Sequence, residues 1–492
     1  MAIGISPQTT GFNAGQVAAN GSLQAYQSGT TTPVTLYQDA ALTIPVSNPV
    51  TLDVNGCAYF YIGSAYNLKY QIYSAAGSLL QTIDPVYPFT AIPGGGADLS
   101  AYTVKATGAT TARVLANYFG EAANVKNFGA TGNGSTDDTA AVQAAASSLG
   151  VTGGMVFFPP GYYNISSTIN SVITQGNVKY QGYGNSSILY QNTHNVDFIN
   201  IAGGNAEIDD LQFQAAAYGS TPHYAIVASG SGIIINKVLG TNISSGINFS
   251  GVTLTGSHIT LQGLKPASGS GMQITNPAAT VLLDKLIFGN AAGNNAFAGI
   301  YVTGCASLQI VNSQLFKMGT CLYLNPAAST AVNQIWCTNA FFDTSTCGVF
   351  AQATASGSSI NGLKLTQCWN NGHSTSGVRL NGTVNGTTIM GGTASSNSVS
   401  GITLETTGVA GTSIQGAAIQ GNTGNGIQVA AAVSYFQIQN NTINSNGSYG
   451  VIVAAGASNE YIVAFNQVNS NTTGSVSDGG TGGNKIVSNN LT

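Results

Sequence analysis

The sequence predicts an all-β protein: a parallel β-solenoid carried behind a small antiparallel β domain. Three observations lead there. First, Gly246, Gly271, Gly299, Gly319, Gly348, Gly377, Gly401, Gly426, Gly450 and Gly474 recur at steps of 20 to 29 residues, the mark of a repeat architecture. Second, the phrases they open (GINF, GMQI, GIYV, GTCL, GVFA, GVRL, GITL, GIQV, GVIV, GSVS) alternate. Ile247, Met272, Ile300, Val378 and Ile427 follow the glycine directly, and Phe249, Ile274, Val302, Leu322, Leu380 and Val429 come two residues later. Between them lie Asn248, Gln273, Tyr301, Phe350, Arg379, Thr403 and Gln428. Strand side chains alternate faces, so the apolar columns point inward and the middle column outward. Third, each period holds a second apolar run, such as Leu308–Val311, Leu363–Leu365 or Tyr435–Ile438. Two or three strands per turn, stacked on their neighbours, enclose a continuous apolar lumen.

Composition narrows the class. Charged residues make up 6% of the 492 and glycine supplies 64 positions. A hydrophobic content of 43% excludes a disordered chain. Abundant Asn, Ser, Thr and Gly suits tight corners, where Asn side chains can stack. The net charge of −4 is spread thinly and forms no basic patch, which argues against nucleic acid. No apolar run is long enough to span a bilayer, and MAIGISPQTT lacks the charged and apolar regions of a signal peptide. Cys57, Cys305, Cys321, Cys337, Cys347 and Cys368 have no metal-ligand spacing. They read as buried thiols, and no metal or cofactor is expected.

Taken in order, residues 1–90 carry short β-prone runs (Val34–Tyr37, Val50–Val54, Tyr59–Ile62, Tyr70–Tyr73) between turns, the pattern of a small antiparallel sandwich. The stretch NGSLQAYQSGTTTPVTLYQDAALTIPVSNPVTLDVNG, with YNLKYQIYSAAGSLL after it, resembles the N-terminal particle-binding module of phage and prophage tail spikes and tail fibres over about residues 10–87. Cys57 departs from that pattern, which more often has a charged or polar residue there. Residues 91–122 read as a linker: AIPGGGADLS is flexible by composition, and TTARVLANYFGEAANV has a short helical pattern. Residues 123–492 form the coil. NVKNFGATGNGSTDDTAAVQAAASSLG, then GGMVFFPPGYYNISSTI and VKYQGYGNSSILY, are similar to the opening of the pectate-lyase-like superfamily. That resemblance implies a right-handed parallel β-helix whose first turn is capped by a helix. Thr136, Asp137 and Asp138 precede the alanine-rich run Thr139–Ser148 and read as its N-terminal cap. The alternative is a catalytic carboxylate pair, disfavoured because good helix formers follow at once. Asn127 stands where an acid is usual.

A solenoid presents elongated ligands with side chains repeating at about 4.8 Å, which suits a polysaccharide. Hydrolysis would need two carboxyls about 5–9.5 Å apart. Glu405 lies four residues past its glycine and turns outward, in a column with Asn381 and Gln352 and beside Arg379, Phe350 and Tyr301. That face reads equally as a sugar platform or a subunit interface. Asp343 follows two phenylalanines, near Trp336, Trp369 and His373. The tryptophans are sugar contacts if exposed and core wedges if buried, and His373 reads as a solvated loop residue. Asp284 is followed by Lys285, a local partner. Glu207, Asp209 and Asp210 form the densest acid cluster, open to three readings: a Ca²⁺ site, a raised-pKa acid or a polar edge. The expected catalytic acids are therefore Glu405, Asp343 and Asp284, and the expected substrate contacts Arg379, Tyr301, Phe350, Trp369, Trp336 and His373. The NTD, in-coil DD, GHG and RIK set of polygalacturonases is not matched: Gly372-His373-Ser374 is the nearest element. The patterned acids of pectate lyases are likewise missing.

The tail-spike resemblance implies a homotrimer on a virion tail or baseplate, made in the host cytoplasm. It also implies recognition of host surface polysaccharide, with or without depolymerisation. The alternative is a fibre that only binds or spaces.

Overall fold

A computed structural model describes residues 3–5, 18–39, 41–62, 67–86, 102–105, 107–108, 110–115, 122–171, 177–290 and 296–492. The chain forms two compact units, Met1–Thr103 and Val104–Thr492. The predicted linker AIPGGGADLS lies outside the described residues. Of the helical pattern after it, Arg113–Val114 is a short strand, Leu115 is helical, Ala122–Asn124 is a strand, and residues 116–121 lie outside the described residues.

The N-terminal unit holds two four-stranded antiparallel sheets. In Ser22–Gln27 and Leu68–Tyr73 alternate residues are buried, which places Leu23, Ala25, Leu68, Tyr70 and Ile72 in one core with Leu36, Phe60 and Ile62. The predicted antiparallel domain is present.

The C-terminal unit is a parallel β-solenoid of three sheets. The first, of 13 strands from Ile169–Ser171 to Gly474–Gly480, carries the glycine phrases. The second, of 17 strands, runs from Ala122–Asn124 to Lys485–Ser488 and carries the second apolar runs. A third, of 14 strands, runs from Asn133–Asp137 to Gln467–Asn469. Each coil passes from the second sheet to the third and on to the first. The turn from second to third takes one left-handed residue, as at Lys285 (φ 53°), Asn312 (φ 48°), Asn339 (φ 52°) and Gln367 (φ 52°). The inward columns merge into one core from Ala123 to Val468.

The glycine column has a steric cause. A β-carbon on Gly348, Gly377 or Gly401 would stand 2.5, 2.8 or 2.7 Å from the carbonyl oxygen of the glycine in the next coil. Two expected members are displaced. Ile300 pairs with Leu322 and Tyr301 with Tyr323, so Cys321, not Gly319, stands between Gly299 and Gly348. Val451 pairs with Val476, which puts Ser475 rather than Gly474 at the end. Gly319 is needed for a different close approach, since its β-carbon would lie 2.5 Å from the Phe297 carbonyl oxygen.

The helix Thr139–Ser148 lays Val142, Ala145 and Ala146 on the first coil, within the common core. Its paired acids are structural, and Asp137 rather than Asp138 meets the first amide of the helix. Asp138 is buried and makes no capping bond: its carboxylate accepts from the Thr131 and Gly132 amides at 2.7 and 3.1 Å. Asp137 accepts from the Thr139 amide at 3.0 Å and from the Ser166 hydroxyl at 2.6 Å. Inside the later corners, Asn397, Asn422, Asn446 and Asn471 form a ladder, each side-chain amide donating to the next at 2.8–2.9 Å. All five coil cysteines are buried free thiols.

Candidate functional site

Register brings Tyr301, Tyr323, Phe350 and Arg379 into one outward column of the first sheet. Tyr323 was missed because Gly319 set the phrase two residues out of register. The repeat of IYV as LYL was the signal that could have found it. Arg379 holds Glu405 in a bidentate pair, Nε to Oε1 at 2.6 Å and Nη2 to Oε2 at 3.2 Å. The guanidinium also covers the Phe350 ring at 4.3 Å from its centroid. Phe350 in turn stacks on Tyr323, with centroids 5.4 Å apart and planes 5° from parallel, and Tyr323 meets Tyr301 at 5.3 Å. Sugar stacking needs an uncovered ring face, and here successive rungs cover one another. Both faces of Phe350 are taken. The column offers ring edges and the Tyr hydroxyls, and Tyr323 spends its hydroxyl on Gln352 at 2.6 Å.

The third sheet differs. Its outward column runs Gln314, Phe341, Trp369, Thr393, Ala418, Thr442. Both tryptophans are exposed: Trp369 to 49% and Trp336 to 36%, with Phe341 at 39%. Trp336 stands on the second sheet with the Lys364 ammonium 5.6 Å from a ring centroid. Trp369 has Phe341 on one side, at 5.4 Å. On the other side the next rungs are Thr393 and Ala418, too small to cover an indole. Small side chains therefore follow the indole for about 14 Å from Trp369 to Thr442, at about 4.8 Å per rung, and lie lower than it as a shallow trough. Beside it runs a polar column, Asp343, Asn371, Ser395, Gln420, Asn444 and Asn469. The Ser395 hydroxyl donates to Asn371 Oδ1 at 2.9 Å.

The three candidate acids do not meet. Asp284 ends a strand of the second sheet and takes a local partner, Lys285, at 3.7 Å. Asp343 ends a strand of the third sheet, and Glu405 follows a strand of the first. His373 is neither solvated nor a surface contact. It is fully buried, with Nδ1 accepting from the Ser345 amide at 3.3 Å, and burial depresses its pKa to about 4. Its own amide donates to Asn397 Oδ1 at 3.0 Å, which makes it the first rung of the internal ladder. The densest acid cluster is an ion-paired edge: Lys179 Nζ bridges Glu207 at 2.8 Å and Asp209 at 3.2 Å, and Lys237 pairs with Asp210 at 3.4 Å. Among the described residues no three His, Cys, Asp or Glu side chains converge as metal donors, and no helix is long and apolar enough to cross a membrane.

Comparison with known proteins gives two partial family matches. Residues 122–203 match "Rhamnogalacturonase A/epimerase, pectate lyase-like", and residues 348–492 match "Periplasmic copper-binding protein (NosD)". The first covers the opening whose motifs resemble the pectate-lyase-like superfamily. No curated protein matches the chain. Among solved structures, the A-module of Azotobacter vinelandii mannuronan C-5 epimerase AlgE6 is similar at 17% identity, over 75% of this chain and 98% of that one, with a TM-score of 0.40. The catalytic unit of a GH87 α-1,3-glucanase from Streptomyces thermodiastaticus is similar at 13% identity, over 99% and 88%, with a TM-score of 0.42. Tailspike protein 3 of bacteriophage CBA120 is similar at 11% identity, over 94% and 71%, with a TM-score of 0.41. Likenesses this distant assign neither substrate nor activity.

Proposed function

We propose that this chain is the receptor-binding spike or fibre of a phage-like particle, and that it holds host surface polysaccharide along the outside of its coil. Residues 1–90 attach it to the virion tail or baseplate, and three copies assemble. The resemblance of residues 10–87 to particle-binding modules supports the virion part. The polysaccharide part rests on one observation: Trp369 is 49% exposed on an outward column whose next rungs are the small Thr393 and Ala418, beside a column of amides and hydroxyls. Aromatic faces and convergent polar groups are what a sugar chain needs.

Of the candidate acids only Asp343 flanks this trough. Neither Asp284 nor Glu405 shares its sheet, and Glu405 is committed to Arg379. A two-carboxyl mechanism therefore lacks its second acid on this face of one chain, and the reading favours holding the glycan over cutting it. The test is co-sedimentation with purified capsular and lipopolysaccharide glycans, followed by mass spectrometry of the supernatant. Binding that Trp369→Ala abolishes, without released oligosaccharides, is the expected result. A ladder of repeat-unit multiples would instead establish a depolymerase, and binding indifferent to Trp369→Ala would displace the site.

A further inference from the structure

From Gln212 to Asn469 the strands of the third sheet contain one charged residue, Asp343, and no cation. The cations elsewhere on the coil are engaged. Lys179, Lys237, Lys285, Arg379 and Lys485 each face a carboxylate within 4 Å. Lys265 donates to the Gly219 and Ser220 carbonyls at 2.7 Å, and Lys317 is engaged as well. The exposed Lys364 ammonium lies over Trp336 on the second sheet, not on the trough side of that corner.

An acidic sugar chain laid along the trough would bring a carboxylate every residue or two past Asp343. No guanidinium or ammonium of the third sheet's strands would receive it, so its charges would gain no partner and the one nearest Asp343 would be repelled. A neutral chain meets what is there, the indole face of Trp369 and then donors and acceptors at Asn371, Ser395, Gln420, Asn444 and Asn469 in register at successive coils. Resting on the reading above, we infer that the glycan held by the third sheet is an uncharged, hydroxyl-rich polysaccharide, running from Trp369 towards the C-terminal coils.

Trp336→Phe leaves Trp369 as the single tryptophan, so its emission reports the trough directly. This variant is titrated with a neutral glucan, a neutral galactomannan and a polyuronate, each at low and high salt. A neutral polymer should shift the emission without salt dependence, and the polyuronate should bind at least about tenfold more weakly. Gln420→Ala, an exposed change, should weaken the neutral polymer about threefold to tenfold with an unchanged melting midpoint. Lys364→Gln should change nothing. Salt-sensitive polyuronate binding as tight as the best neutral polymer, or loss of binding in Lys364→Gln, would overturn the charge assignment and leave the site standing. Emission that no polymer moves would fail the site itself.

Discussion

Lowering the pH should loosen this coil well before its carboxylates titrate, and His373 gives the effect a size. Burial depresses both His373 and His194 from an ordinary 6.5 to about 4. In each, Nδ1 accepts a backbone amide, from Ser345 at 3.3 Å and from Ser244 at 2.7 Å. Protonation would set two donors against each other inside the wall. Between pH 6.5 and 4 the unfolded chain therefore binds protons that the folded chain refuses, and stability falls as pH falls. At about 1.36 kcal/mol per pH unit, each histidine contributes a loss of about 2 kcal/mol between pH 7 and pH 5. His373→Asn tests this without damaging the fold, because Asn397 already fills the equivalent rung of the next coil. The urea midpoint, followed by tryptophan emission at pH 7, 6 and 5, should drop in the parent protein. In His373→Asn the drop should be about half as large. Asp137, which the Ser166 and Thr139 hydroxyls hold below its ordinary 3.8, acts only at lower pH, where its stabilisation is lost. An identical pH dependence in parent and variant would mean that His373 does not carry the effect.

Arg379→Ala and Glu405→Ala should each destabilise, and the double variant should cost little more than either, with a coupling of about 1–2 kcal/mol for a half-buried bidentate pair. Independent effects in the urea cycle would show that the pair is not a clamp. Gly401→Ala should lower stability by more than about 2 kcal/mol, since its β-carbon would meet the Gly426 carbonyl at 2.7 Å, while Gly203→Ala, with open space around it, should be nearly silent. Comparing their thermal midpoints decides it. Asn422→Ala removes the side-chain bonds to Ala394 and Asn446 and strands the Asn397 amide, at a cost of about 2–4 kcal/mol. A denaturation midpoint near the parent's would count against a continuous ladder. Removing residues 1–90 should leave a folded coil that still binds polysaccharide and no longer joins particles, as gel filtration and particle co-purification would reveal.

The solenoid was legible because its constraints are local and repeated. An inward alternation and a glycine at a close approach can be read one phrase at a time. Register failed where two close approaches fall in one coil: Gly319 serves the Phe297 carbonyl, and Cys321 takes the column. His373 was misread because GHSTSG has the composition of a loop. Its position, four residues before Gly377, is matched by Asn397, Asn422 and Asn446 before their own glycines, and that period pointed inward. Outward columns were legible, ring orientation was not. Whether Phe350 shows its face or its edge depends on what its neighbours in the column are. Tyr323 and Arg379 cover it, whereas Thr393 leaves Trp369 open. The separation of Asp284, Asp343 and Glu405 onto three sheets follows from corner positions that spacing alone does not show.

A structure of the protein with a bound oligosaccharide of its host glycan would show which face of the coil holds sugar. A sugar ring should lie on the indole of Trp369, over Thr393, with its hydroxyls turned to Asn371 and Ser395. Sugar density along the Tyr301–Phe350 strip, with the third sheet bare, would contradict it.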